Sequence, residues 1–522
     1  MERRCYTAVN KGLKYTILTG LTLAAGFAVA QNKKFRDPRS YPFTESANPG
    51  AVVVPQPSTS GFGEHARGSN DPLFVAQELV GRPTDTSVTI DAKAVKALEV
   101  YYEYGTRSGA YTGKTTPKVF SPNEPFNVQI DNLKPNTEYF YRMRYRDLDD
   151  KTFNTRAEHS FHTARTPGST FTYVLQFDPH MVEGNNEEAY KLTLKKMLAD
   201  KPDFMIDLGD NFFTDRERPS TQAGVEMRVK LLRSYYDILN HSSALMLTIG
   251  NHEGEWGRGL TGKADSLAVM DTNTRKRYFP NPEPNAFYTG STKMEPLVGL
   301  RQANYAYEWG DALFIIFDPY WNQPVAPELA GDWSLTLGRE QYEWLKKTLA
   351  GSKAKYKFVF SHNLMGGLNM GGQMRGGIET VKYLEMGGYN LDGTWGFDKA
   401  RPGWEMPIHQ LLVKYNATIY FHGHDHLYVK QDLDGIVYQE GPQPSRIGKF
   451  DAGPTSKKYN YLHGTVVNGS GYIRVRVSPD DLKVDYVQTY LPREEDATHK
   501  DGMIADTYTI KPRKFNPAAF EQ

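Results

Sequence analysis

Five short apolar runs recur along the chain, at residues 173–177, 204–208, 244–249, 356–360 and 419–421. Their length is that of strands rather than helices, and we interpret them as buried strands. Between them, apolar positions at helical spacing predict helices at residues 187–200, 225–239 and 339–349. This alternation predicts an α/β fold with buried sheets, whose functional loops follow the carboxyl ends of the strands.

A different pattern precedes these runs. Residues 87–91, 98–104 and 126–130 alternate apolar and polar positions, as strands do when one face is buried. Similar alternation at residues 472–477 and 482–487 predicts half-exposed strands of a second sheet. The chain is therefore predicted to have a small β domain at residues 72–166, a larger domain at residues 167–490, and a polar tail at residues 491–522 with an edge strand at residues 507–510.

The five apolar runs share a second feature, which is a metal-capable residue just after each of them. In chain order these residues are Asp178 with His180, Asp210, Asn251, His362, and His424 with His426. His424 and His426 are two residues apart, so their imidazoles would point the same way from extended backbone. Imidazole is the commonest protein metal ligand. Five such strand ends in one chain indicate a metal site rather than chance polar caps.

The amino-acid composition excludes few classes of function, but it argues against some kinds of binding partner. The chain has 522 residues, of which 39% are hydrophobic and 24% charged, as in an ordinary globular protein of two or three domains. A net charge of +1 gives no overall field that would attract nucleic acid or a membrane surface. We therefore expect no nucleic-acid partner, and the sequence does not indicate an oligomeric state.

The N-terminus has the pattern of an export signal. A basic start, a mostly apolar stretch at residues 15–29 and the small residues Ala28-Val29-Ala30 predict a signal peptide at residues 1–30. The alternative is a membrane anchor, for which the stretch is rather short. The single cysteine, Cys5, would leave with the signal, so the mature chain would have no disulfide. We expect a periplasmic or extracellular protein without stable membrane insertion, beginning with a linker at residues 31–71.

As a set, the motifs D-x-H, G-D, G-N-H-E, S-H and G-H-x-H resemble those of the calcineurin-like metallophosphoesterases, which include the purple acid phosphatases. All five occur in family order, and the resemblance covers roughly residues 170–490. It implies a two-sheet α/β/β/α sandwich, preceded here by the small all-β domain. It also implies metal-dependent hydrolysis of phosphoesters.

The resemblance further implies a centre of two metal ions, for which mixed nitrogen and oxygen ligands suit zinc, iron or manganese. Carried over motif by motif, one metal would be bound by Asp178, His180 and His426, the other by Asn251, His362 and His424, and Asp210 would bridge them. Aspartate suits the bridge because it has two oxygens and little reach. The neutral oxygen of Asn251 would limit the negative charge that meets an incoming phosphate.

The activity implied by the resemblance is hydrolysis of phosphomonoesters, in which a metal-bound hydroxide attacks phosphorus. Asp210 and His252 are the candidate catalytic residues; His252 would protonate the leaving alkoxide or, alternatively, only orient its neighbours. Asn251, Asn211 and Arg375 are candidate substrate contacts. Arg375 lies in a glycine-rich loop that would offer its guanidinium to a phosphate, unless that loop is only a flexible surface loop.

The small β domain carries a resemblance of its own. The letters L-K-P-N-T-E-Y at residues 133–139 resemble the L-x-P-x-T-x-Y corner of fibronectin type III domains, where the tyrosine hydroxyl bonds to upstream backbone. Such a domain precedes the catalytic domain of plant-type purple acid phosphatases. It would bound the active site or bind a polymer, or it would be only a packed spacer, and fold alone does not decide between these roles.

One position departs from the purple acid phosphatases. Their colour comes from a tyrosinate-to-iron(III) charge transfer, and the tyrosine lies three residues after the bridging aspartate. Here that position is Phe213, which has no oxygen, whereas His180 offers a nitrogen instead. A hard ferric ion favours phenolate over imidazole, so we expect zinc, manganese or ferrous iron there and a protein that is not purple.

Two other functions stay open at this stage. A phosphodiesterase acting on nucleotides or lipid head groups would use the same metal site, and the width of the pocket would decide between the two ester classes. A non-catalytic protein that binds phosphate or a polymer is the second alternative. The intact set of ligands and the presence of His252 argue against it.

Overall fold

The computed structural model describes residues 72–181, 185–211, 213–216, 220–323, 332–369 and 374–513. The predicted signal peptide and the linker after it lie outside these ranges. Among the helices that are described, none is both long enough and apolar enough to cross a membrane.

The β-rich region near the start of the described chain forms two antiparallel sheets around a shared core. Its strands are β1 Phe74–Gly81, β2 Val88–Ala94, β3 Leu98–Gly105, β4 Gly113–Lys114, β5 Lys118–Phe120, β6 Pro125–Ile130, β7 Glu138–Arg146 and β8 Asn154–His162. Strands β1, β2 and β6 pair with one another, and the remaining strands form the other sheet. Ile90 of the first sheet and Tyr102 of the second are fully buried in one hydrophobic core. Buried and half-buried positions largely alternate in β3, as predicted, whereas every residue of β2 is buried.

The predicted tyrosine corner has the expected hydrogen bond. The hydroxyl of Tyr139 accepts from the backbone N–H of Lys134 at 2.9 Å. The Tyr139 ring stacks on Phe161 of the neighbouring strand, with ring centroids 5.7 Å apart. The polar end of the tyrosine is thus satisfied while its ring fills the core.

Two larger sheets make up the rest of the fold, and the nine-stranded one also contains β1, β2 and β6. The remaining strands are β9 Phe171–Gln176, β10 Phe204–Asp207, β11 Ala244–Leu247, β12 Thr289–Gly290, β13 Tyr305–Trp309, β14 Ala312–Ile316, β15 Tyr356–Phe360, β16 Leu368–Asn369, β17 Met374–Arg375, β18 Ile419–His422, β19 Tyr428–Leu433, β20 Ile436–Glu440, β21 Thr465–Val467, β22 Gly471–Val477, β23 Leu482–Gln488 and β24 Ile504–Ile510. The sheet orders are β24-β23-β22-β9-β10-β11-β1-β2-β6 and β12-β13-β14-β15-β18-β20-β19-β21. Strands β9 to β11 run parallel to one another in the first sheet, as do β14, β15, β18 and β20 in the second. All five predicted buried strands are therefore present, and β24 is the predicted edge strand. The prediction that residues 472–477 and 482–487 form half-exposed strands is wrong, because β22 pairs with β9 and most residues of β22 and β23 are buried.

Aromatic side chains fill the space between the two sheets. Tyr173 and Phe204 from the first sheet meet Phe314 from the second, with centroid separations of 5.2 Å for both contacts. Edge-to-face packing of this kind joins large buried areas without voids. The fold is the two-sheet α/β sandwich that the sequence predicts.

Helices flank the sheets. They are α1 Glu187–Ala199, α2 Gln222–Tyr236, α3 Leu267–Tyr278, α4 Arg339–Gly351, α5 Ile378–Val381, α6 Leu384–Gly387, α7 Phe397–Ala400, α8 Ile408–Lys414 and α9 Gly453–Lys458. The three predicted helices correspond to α1, α2 and α4. The side chain of Asn186 caps α1 by accepting from the Ala189 N–H at 2.9 Å. In α4 the predicted apolar face, Tyr342, Leu345 and Leu349, is buried.

Strand β1 connects the β-rich region to the first large sheet. It pairs in parallel with β11 through Gly81 and Leu245. A Cβ atom at Gly81 would lie 2.6 Å from Pro280 Cγ, so only glycine fits this close approach. The buried Arg233 of α2 adds a charged contact, since its Nη2 donates to the Gln77 carbonyl at 2.5 Å. The β-rich region is thus packed against the larger part of the chain.

Candidate metal centre

The metal-capable residues of the five motifs meet at one end of the sheets. Each follows a parallel strand: Asp178 and His180 follow β9, Asp210 follows β10, Asn251 follows β11, His362 follows β15, and His424 and His426 follow β18. Carboxyl ends of parallel strands lie at the same edge, so five separate loops deliver their side chains to one place. The structure therefore brings together all seven predicted ligands.

Backbone geometry at these loop ends is unusual. Five of the seven residues have positive φ angles, namely Asp178 at 49°, His180 at 46°, Asp210 at 59°, His424 at 80° and His426 at 63°. Left-handed backbone is unfavourable for residues with a Cβ atom and persists only where surrounding structure enforces it. Here it turns each side chain sharply away from its strand toward the cluster.

Two glycines allow the loops to approach each other. A Cβ atom at Gly250 would lie 2.2 Å from the Asp210 nitrogen, and one at Gly423 would lie 2.4 Å from Asp178 Oδ2. Without side chains at these positions, the His424 N–H donates to Asp178 Oδ2 at 2.8 Å. The glycines of the G-N-H-E and G-H-x-H motifs thus serve close backbone contact.

Asp178, His180, Asp210 and His426 form the first candidate metal-binding group. His180 Nε2 lies 3.1 Å from Asp210 Oδ2 and 3.6 Å from Asp178 Oδ1. His426 Nε2 lies 3.4 Å from Asp178 Oδ1. The group contains the three residues assigned to the first metal and the proposed bridge.

Asp210, His362 and His424 form the second group. His362 Nε2 lies 3.2 Å from Asp210 Oδ2 and 3.1 Å from His424 Nδ1. Asn251 joins this group, because its Oδ1 lies 3.0 Å from the same nitrogen of His362. Asp210 belongs to both groups, which is the position a bridging ligand requires.

Charges around the cluster favour a cation there. Burial opposes a proton on His362, but the Asp210 and Asp178 carboxylates outweigh it and raise the pKa of His362 to about 10. Burial, together with neighbouring His180, lowers the pKa of His426 to about 4, which leaves this imidazole neutral near pH 7. The two carboxylates that favour a proton on His362 would also attract a metal ion, and the neutral imidazole of His426 has the lone pair that a metal ligand needs.

The donor set fits a metal centre. Asp178 Oδ1 is buried, and no hydrogen bond reaches it from the described residues. Nε2 atoms of His180, His362 and His426 surround it at 3.6, 3.7 and 3.4 Å, respectively. An unpartnered buried carboxylate oxygen is costly unless a cation compensates it. The mixture of imidazole, carboxylate and amide donors suits zinc, iron or manganese.

Comparison with protein families identifies the region that carries this cluster. Residues 178–428 match the family model described as calcineurin-like phosphoesterase. The chain contains a calcineurin-like phosphoesterase domain. By this family and by its clustered metal-capable residues, the protein is a metal-dependent phosphoester hydrolase.

Two solved structures share the fold. PhoD matches with a TM-score of 0.59 and 15% sequence identity, covering 85% of this chain and 91% of that chain. The purple acid phosphatase PPD1 from yellow lupin (Lupinus luteus) seeds matches with a TM-score of 0.55 and 17% identity, covering 83% of this chain and 74% of that chain. No curated protein sequence matches significantly. At these identities the structural matches establish the fold of the phosphoesterase domain and nothing finer.

His252 lies at the edge of the phosphoesterase cluster. Its Nε2 is 4.0 Å from Asp210 Oδ2, and its Nδ1 is 2.9 Å from Asp215 Oδ2. The Phe213 ring stacks on the imidazole at 4.1 Å with an interplanar angle of 14°, and it meets His180 edge-on at 4.4 Å. Asp215 and Phe213 together fix the imidazole so that Nε2 faces the cluster.

Glu253 fastens two ligand loops of the phosphoesterase domain to each other. Its carboxylate accepts from the backbone N–H of Asp210 at 3.0 Å, and also from those of Gly250 and Asn211. Burial and the Asp210 charge raise the pKa of Glu253 to about 8. The last residue of the G-N-H-E motif therefore positions the loops that carry Asp210 and Asn251.

Asn211 and Arg375, two of the predicted substrate contacts, have other partners in the structure. Asn211 Nδ2 donates to Asp207 Oδ1 at 2.7 Å, so the side chain is turned into the interior. Arg375 lies beside the cluster, where its Nη1 donates to the His424 carbonyl at 2.7 Å and to Asp425 Oδ1 at 2.9 Å. Arg375 thus holds the turn that carries His424, and Asn251 is the one predicted contact that lies within the cluster.

The sequence analysis did not identify three residues near the cluster, which are Glu253, Asp215 and Arg446. Glu253 and Asp215 stand in or just after recognised motifs, but nothing in the sequence shows which backbone groups or ring they contact. Arg446 has no motif at all, and its Nη2 lies 3.2 Å from His426 Nδ1. The sequence signal for such residues is weak because they act across loops that are distant in the chain.

Proposed function

We propose that the protein is an exported phosphomonoesterase that binds two ions of zinc, iron or manganese. The observation that carries the proposal is the convergence of two metal-capable groups on Asp210, with the oriented imidazole of His252 at their edge. A metal pair with a proton donor beside it is what ester hydrolysis requires, whereas simple phosphate binding needs no proton donor.

Each metal-binding group has its own residues. Asp178, His180 and His426 would hold one ion, Asn251, His362 and His424 would hold the other, and Asp210 would belong to both. When bound, the ions supply Lewis acidity, which activates water as a nucleophile and neutralises phosphate charge. Phe213 leaves the first group without a phenolate, which favours zinc, manganese or ferrous iron over ferric iron there.

His252 would donate the proton that the leaving alkoxide needs. The Asp215 carboxylate, whose Oδ2 lies 2.9 Å from His252 Nδ1, would hold the ring with its Nε2 on the cluster side. Stacking on Phe213 holds the ring plane, so the donor does not have to reorient during the reaction. Protonation of the leaving oxygen lets the P–O bond break without forming a free alkoxide.

The recessed position of the cluster supports monoesters as substrates. Asp178, Asp210, Asn251, His362 and His424 are all buried, so a substrate phosphorus atom would have to enter an opening below the protein surface to reach them. A terminal phosphate has a single substituent and enters such an opening end-on. A phosphodiester would have to bring two substituents into the same space.

The proposed protein is exported by a signal peptide, and its β-rich region is a fibronectin type III-like domain. The A-x-A pattern at residues 28–30 supports a signal peptide. The hydrogen bond from the Lys134 N–H to the Tyr139 hydroxyl supports a fibronectin type III-like domain. N-terminal sequencing of the exported protein tests the first point, and retention of Met1 would contradict it.

The activity is tested with one metal analysis and two chromogenic esters. Purified protein loaded with zinc, manganese or ferrous iron should contain two equivalents of metal and hydrolyse p-nitrophenyl phosphate faster than bis(p-nitrophenyl) phosphate. The Asp210→Ala variant is the control for background hydrolysis. A preference for the bis ester would indicate a phosphodiesterase, and fully loaded protein without any turnover would indicate a binding protein.

A further inference from the structure

The candidate metal centre opens to solvent beside His426. The His426 side chain is 20% exposed, against 11% for His180 and 0% for Asp178 and His362. His426 is the most exposed of these ligands, so this side offers a substrate phosphate a route to the cluster. Side chains that line this side are placed to contact the phosphate before and during its binding.

Arg446 is a cation on this side of the cluster. Its Nη2 lies 3.2 Å from His426 Nδ1, and its Nε donates to the Gln443 side-chain oxygen. The guanidinium lies over the Phe450 ring, 4.1 Å from the centroid. These three contacts fix the plane of the guanidinium against the exposed edge of the metal centre.

The loop that carries Arg446 is tied to the first metal-binding motif. The hydroxyl of Ser445 donates to the Pro179 carbonyl at 2.5 Å, between Asp178 and His180. The backbone carbonyl of Ser445 accepts from the Asn186 N–H at 2.8 Å, at the start of α1. Arg446 therefore keeps a fixed position relative to Asp178 and His180, as a substrate-binding residue requires.

Arg446 forms no ion pair with a described carboxylate, and the negative charge that acts on its guanidinium is that of Asp178 within the cluster. Within the described ranges, no carboxylate lies within 4.0 Å of its guanidinium, and its Nη1 has no hydrogen-bond partner. Arg375, by contrast, forms an ion pair with Asp425 at 2.9 Å. A partly buried guanidinium without a counter-ion is expensive to maintain unless an anionic ligand uses it.

We propose that Arg446 binds the substrate phosphate and selects phosphomonoester dianions over phosphodiester monoanions. This inference rests on the proposed function and states which charge form of the ester the site prefers. A monoester has a third non-bridging oxygen and a second negative charge. A guanidinium at the exposed side of the metal centre would donate a hydrogen bond to that oxygen and would attract the additional charge. In a diester that oxygen carries an organic group, so the diester has neither the third non-bridging oxygen nor the second negative charge.

Binding of two non-hydrolysable analogues tests the inference without turnover. Phenylphosphonate at alkaline pH is a dianion and stands for a monoester, and its monomethyl ester is a monoanion of nearly the same shape. Calorimetric titration of zinc-loaded protein should show tighter binding of the dianion. In Arg446→Met, which keeps an unbranched stem to pack on Phe450, the affinity for the dianion should fall about 10- to 100-fold, as for loss of a charged hydrogen bond. Affinity for the monoanion should change less than the affinity for the dianion.

Two further variants sharpen the result. Lys449→Met removes a cation from the same loop, where Lys449 pairs with Asp496 at 2.7 Å, and it should bind both analogues as wild type does. Arg446→Lys keeps the charge but not the planar fork, so it should retain the preference for the dianion with weaker binding. If Arg446→Met does not fold, reduced dianion affinity in Arg446→Lys supports the inference, and unchanged affinity overturns it.

Other outcomes are equally decisive. Equal weakening of both analogues in Arg446→Met, or no weakening, overturns the inference. Loss of zinc from that variant also overturns it, because Arg446 would then position His426 rather than bind phosphate. A wild-type protein that prefers the dianion but hydrolyses no ester contradicts the proposed function and leaves the role of Arg446 intact.

Discussion

The carboxylate of Asp210 is shared by both halves of the cluster, whereas His252 stands outside them. Asp210→Ala should therefore remove metal from both positions and abolish activity. His252→Ala should keep its metal and lower kcat about 10²- to 10⁴-fold, the usual contribution of a general acid. Metal content per chain and kcat on p-nitrophenyl phosphate measure the two effects. Metal loss in His252→Ala equal to that in Asp210→Ala would refute the proton-donor role.

Asp215 acts on the reaction through His252. Because its carboxylate lies 2.9 Å from His252 Nδ1, Asp215→Asn replaces the carboxylate that orients the ring with an amide. We expect kcat to fall about 10- to 100-fold with unchanged metal content. In a His252→Ala background the same substitution should have no further effect, since both residues act as one unit. A full additional loss in that double variant would place Asp215 elsewhere in the mechanism.

Phe213 leads us to expect that the iron-loaded protein is not purple. Its ring stacks on His252 and touches His180, and it offers no oxygen to a metal. Iron-loaded, oxidised protein should therefore lack the intense visible band that a tyrosinate–iron(III) pair gives. An absorption spectrum decides this. A strong band that disappears on mutation of some other tyrosine would show that the ligand assignment is wrong.

The candidate metal centre requires close contact between the loops that follow β10 and β11. A Cβ atom in Gly250→Ala would lie 2.2 Å from the Asp210 nitrogen and 2.4 Å from its Oδ1, so the β10 and β11 loops would have to separate. We expect weaker metal binding and a stability loss of about 1–3 kcal/mol, as for overpacked sites. Gly351→Ala is the matched control, because a Cβ atom there meets nothing within 4 Å. Equal metal affinity in the two variants would argue against this account of the loops.

Some elements were predictable from the sequence and others were not. The strands that precede Asp178, Asp210 and His362 were predicted because each is a continuous apolar run, which is a local property. Helix α3 and the hairpin formed by β16 and β17 were not predicted. α3 buries polar residues such as Asp271 and Arg275, so its apolar period is weak and its position depends on partners elsewhere in the chain.

At the scale of the whole molecule, two histidines meet where the β-rich region contacts the larger part of the chain. His159 of β8 and His241, in the loop after α2, have ring centroids 4.2 Å apart. Burial and the neighbouring His159 lower the pKa of His241 to about 4, and burial also lowers the pKa of His159. Glu78 favours a charge on His159, but Arg156 opposes it. Both rings are therefore neutral near pH 7.

This contact predicts a loss of stability in acid. The folded-state pKa lies below the unfolded value of 6.5, so the stabilisation is complete above pH 6.5 and is lost as the pH falls toward 4. For His241 the loss should reach about 3 kcal/mol at most. The free energy of unfolding, measured by chemical denaturation, should fall less between pH 7 and pH 4.5 for His241→Gln than for the wild-type protein. His463→Gln, which changes an exposed histidine, serves as the control. An identical pH dependence of stability in the wild type, His241→Gln and His463→Gln would contradict the prediction.

Local sequence patterns were sufficient to predict the α/β class, the five strands and all seven candidate ligands. They could do so because apolar periodicity and the residue type at a strand end are local, and parallel strands bring their ends together. Only the tertiary structure decided that Asn211 turns inward, that Arg375 holds the His424 turn, and that Arg446 reaches His426 across 20 residues. The direction of a loop side chain depends on which other loops pack against it. That packing follows from the order of strands in the sheets, which no local pattern encodes.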